Sequence, residues 1–554
     1  MARLPPSFCV LALALVAGLS AGGLRAEMKT VCTITVNSAD EKEAMKSSLP
    51  RDRYRFVELV EKGRADWLAS ACAQKIQCDV LVISGHYDGG NEFFSEHIEG
   101  KEYLPVDEME RVSCGASCSG LFAKLKEVYL FGCNTMNPEA NRITSGEVAR
   151  SLVRSGHSRA DAERIARNLS TRHGESSRDR MRQIFKDVPT IYGFSSVAPL
   201  GPTAGSLIKR YFQTAGTGDF GTGRVNSRLL GQFSQHSLAV SSGFGESEPN
   251  ATLRRDFCHF TDDRLTTAQR VAFVHQLLGR EMAEVRMFFE RIERYTDALT
   301  DAQRQEPDVA AELAAIASDE AAKRRYMDFM RDADQLAVRA RMIAVAGDLG
   351  WLSASEQRQE QARMIGELLA ANSVSTMETG LVCALNKDDE LSQELPGLAA
   401  KARNEKVSNA AVLACLGSVE GRARMLQALT STNEDDVHYA QVYFRHRPIT
   451  DVGELRTVTT SIARMTSAGA QIRALDTLAQ HRLSDQQSLE ELTRLYPVAT
   501  SARVQAAIAG ILIRSDYQKI ANAELVQTLR RHRLKSTDGE NLVDVLIRRL
   551  TVSL

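Results

Sequence analysis

The sequence predicts two parts of different fold class, an α/β domain with a mainly parallel sheet and an all-α domain of helical repeats. From residue 29 to about 260, short β-branched runs alternate with helical stretches, which is the pattern of βαβ units. From about residue 265 to the end, the strand signal vanishes and apolar residues recur at spacings of three and four. A weak self-similarity of roughly 30–35 residues in this second part is typical of an α-solenoid.

The predicted strands of the first part are short runs rich in apolar and β-branched residues, at 30–36, 54–59, 79–84, 128–131 and 189–194. The nearly continuous apolar character of residues 79–84 is that of a strand buried on both faces. Helical stretches lie between these runs, at 39–47, 65–75, 120–126 and 145–156. Strands that alternate with helices favour a parallel sheet.

The second part divides into a connector with longer charged helices and a region of repeats. Residues 380–385 are similar to 411–416, and residues 472–482 are similar to 504–514. Periods of this size resemble HEAT repeats, and an irregular helical bundle stays open as the alternative. Stacked helices present an extended surface, so we expect a protein partner there. The expected domains are 1–26 (signal peptide), 27–260 (α/β domain), 261–345 (connector) and 346–554 (helical repeats).

The first 26 residues are expected to be a secretory signal peptide. Arg3 supplies an early positive charge, residues 8–21 are almost wholly apolar, and small residues lead to a cleavage position after Ala26. This apolar run is shorter than the ~20 residues that a membrane span needs. We therefore expect an exported chain, periplasmic or secreted, with no integral membrane span once the signal is removed.

Length and composition exclude several classes of protein. The chain has 554 residues, and one domain per ~150 residues suggests three or four domains. Hydrophobic residues make up 43% and charged residues 25%, which excludes wholesale disorder. Lysine and arginine number 69 against 70 for aspartate and glutamate, so the net charge is -1. This balance leaves no general electrostatic footprint for nucleic acid, and we expect no nucleic-acid partner.

Two of the predicted strands lead directly into residues that can carry chemistry. The strand at 79–84 is followed by His86, and the strand at 128–131 is followed by Cys133. In an open parallel sheet, ligands bind beyond the carboxyl ends of the strands. If these strands are neighbours, the two side chains reach one crevice, where the imidazole can deprotonate the thiol to a nucleophilic thiolate.

This arrangement resembles the caspase-like cysteine peptidases, most nearly the bacterial CHAT type that is related to separase. That type has a Gly-His turn and then a hydrophobic strand closed by small-Cys-x-Thr. Gly85-His86 fits the first motif, and residues 132–135 (Gly-Cys-Asn-Thr) fit the second. A helix rich in small residues follows in the family, and residues 145–156 match it. The resemblance covers about 200 residues and leaves the helical part unassigned.

The resemblance implies a cysteine endopeptidase that acts on a protein or peptide and needs no metal or organic cofactor. Cys133 would attack the peptide bond, and His86 would donate a proton to the leaving amine. Backbone N–H groups of Tyr87 and of the turn at Gly132 would hold the oxyanion.

The resemblance also implies a substrate pocket and contains one departure. A later strand lines the primary specificity pocket in the family; residues 190–197 match it, and Ser195 and Ser196 would lie near this pocket. Glycine usually follows the family's histidine, whereas this chain has Tyr87, whose side chain is expected to crowd the site. The alternatives are therefore a catalytically inactive caspase-like scaffold and a binding module in which the His/Cys pairing is accidental.

The cysteines bear on the same question. Nine follow the signal peptide, and an odd number leaves at least one thiol unpaired in an oxidising compartment. Cys133 could instead be a disulfide partner or a buried apolar thiol, and the C-x3-C spacing of Cys114 and Cys118 would also suit zinc. Connectivity cannot be deduced from sequence, so any scheme is a hypothesis. One scheme leaves Cys133 unpaired and joins Cys114 to Cys118, Cys72 to Cys78, Cys383 to Cys415, and Cys32 to Cys258.

Three further features of the first part also carry expectations. The glycine-rich residues 216–223 are expected to form a loop near the site. Residues 157–182 carry seven arginines and are expected to form a solvated helix-and-loop insertion, with self-cleavage there as a sharper hypothesis. His173 precedes a glycine and competes with His86, but no strand leads into it.

Overall fold

The structure is a computed structural model, and its described residues form two compact units. The described residues of the α/β unit fall within positions 1–143 and 167–270, and those of the helical unit fall within 144–166 and 271–554. The expected signal peptide lies outside the described residues. The described residues are 28–60, 68–87, 89, 92–95, 102–139, 145–154, 156–173, 176–245, 248, 251–371, 373–402, 406–481, 483–535 and 542–553.

The strands of the described residues form two sheets. They are β1 (Lys29–Thr35), β2 (Tyr54–Glu58), β3 (Val80–Ser84), β4 (His86–Tyr87), β5 (Glu92–Phe94), β6 (Tyr103–Pro105), β7 (Glu127–Phe131), β8 (Thr190–Phe194) and β9 (Leu238–Ser241). One sheet has the order β2-β1-β3-β7-β8-β9, and the other has the order β4-β5-β6. In the larger sheet, β9 pairs antiparallel with β8 and the other pairings are parallel. The predicted mainly parallel sheet is therefore confirmed.

Helices alternate with these strands along the chain. They are α1 (Asp40–Ser48), α2 (Ala69–Ala73), α3 (Val106–Cys114), α4 (Ser145–Arg154), α5 (Arg159–His173), α6 (Ser177–Ile184), α7 (Gly201–Ala215), α8 (Ser227–Gln232) and α9 (Ala251–Thr261). The 145–156 segment, which the resemblance assigns to the α/β domain, forms α4, and α4 packs on the later helix α11 (Met282–Ala298).

Buried apolar side chains cover both faces of the larger sheet. Val80 and Val82 of β3 join the cluster under α1 and α7. Leu81 and Ile83 join the opposite cluster, to which α3 and α6 contribute. Because successive side chains of a strand point to opposite faces, a strand buried on both sides must be apolar throughout. This explains the continuous apolar run at 79–84.

The predicted helix at 120–126 is wrong, because residues 119–124 form hydrogen-bonded turns. The backbone N–H of Lys126 donates to the carbonyl of Asp79, and the N–H of Cys78 donates to the carbonyl of Leu121. These bonds fasten the segment to the start of β3. Short-range helical propensity is overridden here by the sheet that follows.

The arginine-rich segment at 157–182 is more ordered and less solvated than expected. It is mostly helical, in α5 and α6. Arg180 is buried and forms ion pairs with Glu110 at 2.9 Å and with Asp107 at 3.0 Å. A guanidinium with two carboxylate partners is a structural element of the α/β unit, which corrects the expectation of a wholly solvated insertion.

Four disulfides are present, and three of them differ from the pairing scheme derived from sequence. Cys383–Cys415 agrees with it. The predicted bridges within short segments are wrong because strand pairing and helix packing bring distant cysteines closer: β1 lies beside β3, α2 packs beside residues 116–118, and α3 packs on α9. The observed pairs are Cys32–Cys78, Cys72–Cys118 and Cys114–Cys258.

The helical unit continues with helices throughout its described residues. Its later helices stack: α17 packs on α19 and α21, and contacts then run from α21 to α23, α25 and α27. The predicted all-helical second part is confirmed. The bounds are α10 (Thr267–Leu278), α11 (Met282–Ala298), α12 (Asp301–Arg304), α13 (Pro307–Ser318), α14 (Glu320–Arg331), α15 (Leu336–Asp348), α16 (Ala354–Ala370), α17 (Thr376–Leu385), α18 (Leu395–Ala399), α19 (Val407–Cys415), α20 (Val419–Leu429), α21 (Glu434–His446), α22 (Val452–Ile462), α23 (Ala468–Leu478), α24 (Gln486–Leu495), α25 (Ala502–Arg514), α26 (Ala523–Arg531) and α27 (Leu542–Ser553).

A recurring buried amide accompanies this stacking. Gln471 of α23 donates to the carbonyl of Ile462 at the end of α22, and Gln505 of α25 donates to the carbonyl of Tyr496 just after α24. These glutamines are 34 residues apart and each lies four residues after a capping serine. The sequence alignment of 472 with 504 is therefore two residues out of structural register.

No helix in the described part of the chain has both the length and the apolarity to cross a bilayer.

Candidate functional site

The strands that precede His86 and Cys133 are neighbours. β3 and β7 pair in parallel with Ser84 opposite Phe131, and the N–H of Gly85 donates to the carbonyl of Phe131 at 3.1 Å. Strands that pair in parallel end at the same edge of the sheet, about 4.8 Å apart. The segments that follow β3 and β7 therefore leave the carboxyl edge of the sheet side by side and at the same level. This meets the condition that the sequence set for a shared crevice.

Gly132, which precedes the cysteine, is needed for a close approach of the two chains. A Cβ atom at this position would lie 2.9 Å from the Gly85 carbonyl oxygen and 3.0 Å from Cβ of Tyr87. Atoms of real side chains do not approach backbone so closely. Glycine at position 132 thus lets the segment that carries His86 lie directly against the segment that carries Cys133.

The pleat of the strands indicates which way each side chain points. Residues 80, 82 and 84 face α1 and α7, so by alternation His86 follows them on that side, and Cys133 follows Phe131 there. Tyr87 takes the opposite side, where it is 5% exposed and its ring lies 4.8 Å from that of Phe93. The tyrosine side chain is therefore in the core, and the expected crowding of the site is wrong.

His86 belongs to the small sheet and keeps partial exposure. β4 pairs antiparallel with β5, which places His86 opposite Phe94. The two rings are 5.5 Å apart between centroids and tilted by 33°. The small sheet thus holds the imidazole against an aromatic face at the carboxyl edge of the larger sheet.

Cys133 is a free, half-buried thiol, whereas the eight other described cysteines form disulfides. The backbone N–H of Ala198, in the loop between β8 and α7, donates to Sγ at 3.4 Å. The sulfur is therefore within hydrogen-bond distance of a backbone donor of the β8–α7 loop. No sequence motif marks Ala198, because any residue except proline supplies the same backbone donor.

The turn that carries the thiol is anchored by Thr135, the last residue of the small-Cys-x-Thr motif. Its buried hydroxyl donates to the Gly132 carbonyl at 3.1 Å and accepts the Phe194 N–H at 3.1 Å. Asn134 has φ of +59°, a conformation that asparagine tolerates better than most residues. The threonine therefore fixes the turn to β8, the neighbouring strand.

Ser195 and Ser196 follow β8 at the same edge. The Asn134 N–H donates to the carbonyl of Ser196 at 2.7 Å, so this serine lies beside the turn of the cysteine. The Ser196 hydroxyl donates to that of Ser237 at 2.8 Å, and the Ser195 hydroxyl donates to the Ser237 carbonyl at 3.2 Å. Both serines are thus near the thiol and tied to the residue that precedes β9; their role in a substrate pocket stays a prediction.

A buried carboxyl group at this edge was not anticipated. Glu41 lies in the first turn of α1 and is 4% exposed. Burial raises its pKa from the model-compound value of 4.5 to about 7, and the neighbouring Asp40 adds to the shift, whereas a hydrogen bond from Ser84 opposes it. The acidic first turn of α1 hides this residue in the sequence, because such a turn is usually solvated.

The zinc alternative for Cys114 and Cys118 is wrong, because each sulfur belongs to a different disulfide. Within the described ranges, no cluster of three or more histidine, cysteine or acidic residues could hold a metal ion. His173 ends α5, and no strand leads into it.

The glycine-rich loop at 216–223 lies at the opposite edge of the sheet from the thiol, which corrects the expectation that it is near the site. Its backbone N–H groups at Gly221, Thr222 and Gly223 donate to the carboxylate of Glu127 at 2.8–3.0 Å. Glu127 is the first residue of β7, whereas Cys133 follows its last residue. The loop therefore closes the amino edge.

Comparison of the chain with protein-family models, curated protein sequences and solved structures gives no match. The chemistry is therefore inferred from the geometry. The Cys133 thiol accepts a hydrogen bond from the Ala198 N–H, and the His86 imidazole lies on the segment that follows the neighbouring strand. These features suit a sulfur nucleophile whose reaction is assisted by proton transfer.

Proposed function

We propose that this chain is an exported cysteine endopeptidase of the caspase-like type, with Cys133 as nucleophile and His86 as its acid–base partner. The observation that carries the proposal is the parallel register of β3 and β7, which delivers both residues to one edge of the sheet. The presence of the motif threonine as an anchor of the cysteine turn supports it. The sulfur of Cys133 is not engaged in a disulfide and so is free to act as a nucleophile.

The reaction would begin with transfer of the Cys133 proton to His86 and attack of the sulfur on the peptide carbonyl carbon. As the C–N bond breaks, the imidazolium donates its proton to the amine nitrogen, and a thioester remains. Water then attacks the thioester carbon as it gives a proton to the imidazole, the sulfur leaves with the bonding electrons, and the imidazolium returns its proton to the sulfur. The net change is hydrolysis of one peptide bond.

Backbone donors would stabilise the negative oxygen that forms on attack. The proposed donors are the N–H groups of Tyr87 and of the turn at Gly132 and Cys133. Because the Tyr87 ring is buried in the core, its side chain would not compete with the oxygen for this position. The Ala198 N–H already contacts the sulfur and would stabilise the thiolate before attack.

The four disulfides support export, because such bridges persist in oxidising compartments. The stacked helices of the second unit support a role in recruiting a protein, since a helix stack presents an extended surface. A periplasmic or secreted location and HEAT-like recruitment are both part of the proposal.

Iodoacetamide labelling tests the dyad. We expect Cys133 to be alkylated at pH 7 and the second-order rate to fall at least tenfold in His86→Ala, because the base that generates the thiolate is removed. His259→Ala, which removes a half-buried histidine of α9 in the same unit, is the matched control and should leave the rate unchanged. Mass spectrometry after digestion identifies the labelled residue. Equal rates in wild type and His86→Ala would contradict the dyad.

Proteolysis is tested separately with fluorescently labelled casein, an unfolded protein substrate. We expect cleavage by the wild type and none by Cys133→Ser. If Cys133 is alkylated in a His86-dependent way but casein is not cleaved, the enzyme would have a narrower peptide specificity than casein offers. An unreactive thiol without cleavage would favour the inactive scaffold.

A further inference from the structure

The small sheet presents an aromatic row that begins at the imidazole. In its register, His86 is opposite Phe94, and Phe94 is opposite Tyr103, so these three side chains share one face. The residues of the other face, Tyr87, Phe93 and Leu104, are buried in the core. The row therefore lies on the outer face of the small sheet, and Tyr103 at its end is 42% exposed.

A second apolar feature lies on the thiol side. Val197 and Leu200 flank Ala198, the residue whose N–H contacts the sulfur, and they are 71% and 70% exposed. They are the two most exposed large apolar side chains of the described residues of the α/β unit. Exposed apolar groups that gather at a reactive centre commonly mark a ligand site.

Charge is absent from the part of the loop that borders the thiol. Residues 195–200 read Ser-Ser-Val-Ala-Pro-Leu and contain no acidic or basic side chain. On the imidazole side, Glu92 precedes Phe94 by two residues in β5 and so lies on the same outer face of the small sheet, opposite Pro105. The 195–200 loop therefore has no charge with which to recognise a charged substrate residue.

We propose that the site selects peptides with bulky apolar side chains on both sides of the scissile bond, with Val197 and Leu200 contacting the acyl side and Phe94 and Tyr103 the amine side. This inference rests on the proposed function and names its substrate class. The assignment of sides follows from the chemistry: the imidazole gives its proton to the leaving amine, so the row that continues from His86 borders the amine part of the peptide. The loop over the sulfur borders the acyl part.

The acyl side is tested with two peptidyl chloromethyl ketones that differ in one residue, leucine or aspartate next to the reactive group. The thiolate displaces chloride from either compound and forms a thioether, so the reaction reports binding at Cys133 without hydrolysis. We expect the wild type to react at least tenfold faster with the leucine compound, because transfer of a leucine side chain out of water is favourable. A rate equal for both compounds, or faster with aspartate, would overturn the assignment.

The double variant Val197→Asn with Leu200→Asn should lose about tenfold in rate towards the leucine compound and keep its iodoacetamide rate within about twofold. The retained iodoacetamide rate shows that the fold and the dyad are intact. Val225→Asn is the matched control, since Val225 is also exposed, at 58%, and lies near the amino edge of the sheet. A double variant that keeps the full rate with the leucine compound would contradict the role of these residues.

The amine side is tested with quenched peptides that carry leucine before the scissile bond and phenylalanine or aspartate after it. Tyr103→Thr, which retains β-propensity, should reduce the preference for phenylalanine in kcat/KM by about tenfold. An unchanged preference would exclude the aromatic row as a subsite. Failure of the proposed function has a different signature, because His86→Ala would then leave the iodoacetamide rate unaltered whatever the peptide preferences.

Discussion

The two edges of the larger sheet use polar residues in opposite ways. At the amino edge, Glu127 accepts hydrogen bonds from the Tyr129 hydroxyl and from three backbone N–H groups, and Lys29 donates to the carbonyls of Phe220 and Gly221. At the carboxyl edge lie the free thiol of Cys133, the half-buried residue His86 and the buried Glu41. The amino edge is closed by mutual hydrogen bonding, whereas the carboxyl edge carries the proposed dyad.

This difference shows that glycine content and polar composition do not locate a site by themselves. The glycine-rich loop of the chain serves the closed edge, where its N–H groups surround one carboxylate. The carboxyl edge instead uses a short turn with a single required glycine, Gly132. Substitutions at the amino edge should therefore change stability, and substitutions at the carboxyl edge should also change thiol chemistry.

The largest effect is expected for Glu127→Ala. The change leaves three backbone N–H groups and the Tyr129 hydroxyl without their acceptor, so we expect the free energy of unfolding to fall by about 4 kcal/mol. Tyr129→Phe, which removes one of these bonds, should cost only about 1 kcal/mol. Urea denaturation measures both. Similar losses in the two variants would show that the carboxylate does not organise the loop.

The next effect concerns pH and Glu41. A buried acid whose pKa is about 7 keeps a proton that the unfolded chain releases near pH 4.5, so its contribution to stability is complete below pH 4.5 and is lost as pH rises through 7. We expect a decline of at most about 3 kcal/mol between pH 5 and pH 8 that is absent in Glu41→Gln. Asp40 is the charged neighbour that raises this pKa, and the facing residues Ala204 and Gly205 of α7 are uncharged. Parallel stability–pH curves would contradict the shift.

A smaller loss is expected for Thr135→Val at the carboxyl edge. The variant keeps the shape of the side chain but removes the hydroxyl that joins Gly132 to Phe194, which should cost about 2 kcal/mol. Cys133 alkylation should also slow, because the sulfur is no longer held beside the Ala198 N–H. Thr135→Ser retains the hydroxyl and should preserve the alkylation rate. If Thr135→Val leaves that rate unchanged, the turn is held by other contacts.

The smallest effect is expected for Lys29→Met at the amino edge. Its ammonium group donates to two carbonyls of the glycine-rich loop from a partly buried position, so we expect a loss of about 1 kcal/mol. Thiol alkylation should not change, because this contact is at the far edge of the sheet. Lys46→Met, on the exposed face of α1, is the control. A slower alkylation in Lys29→Met would show that the two edges are coupled.

Much of the fold could be predicted because local patterns record burial. The run at 79–84 is nearly continuously apolar since β3 is buried on both faces, and the loss of strand signal after about residue 265 reflects the helices that the described residues form there. The segment at 120–126 could not be predicted in the same way, because backbone bonds to Asp79 and Cys78 decide its conformation. Disulfide partners were missed for a related reason, since sequence distance does not measure spatial distance.

The candidate site divides similarly. His86, Cys133 and Thr135 were visible because the proposed chemistry requires particular side chains in a particular order. Ala198 contributes only a backbone N–H, which any non-proline residue supplies, so the sequence carries no trace of it. The burial of Tyr87 was also hidden, because successive side chains of a strand point to opposite faces and a shift of one residue moves a side chain from the site to the core.

The sequence alone determined the succession of strands and helices, the change of fold class along the chain, and the residue types capable of thiol chemistry, because each of these depends on neighbouring residues and on the periods of local structure. The tertiary structure decided which cysteines pair, which edge of the sheet is closed, and which backbone donor meets the sulfur. These outcomes depend on strand order and helix packing, which bring together residues as distant as Cys114 and Cys258. Local patterns contain no direct record of such distances.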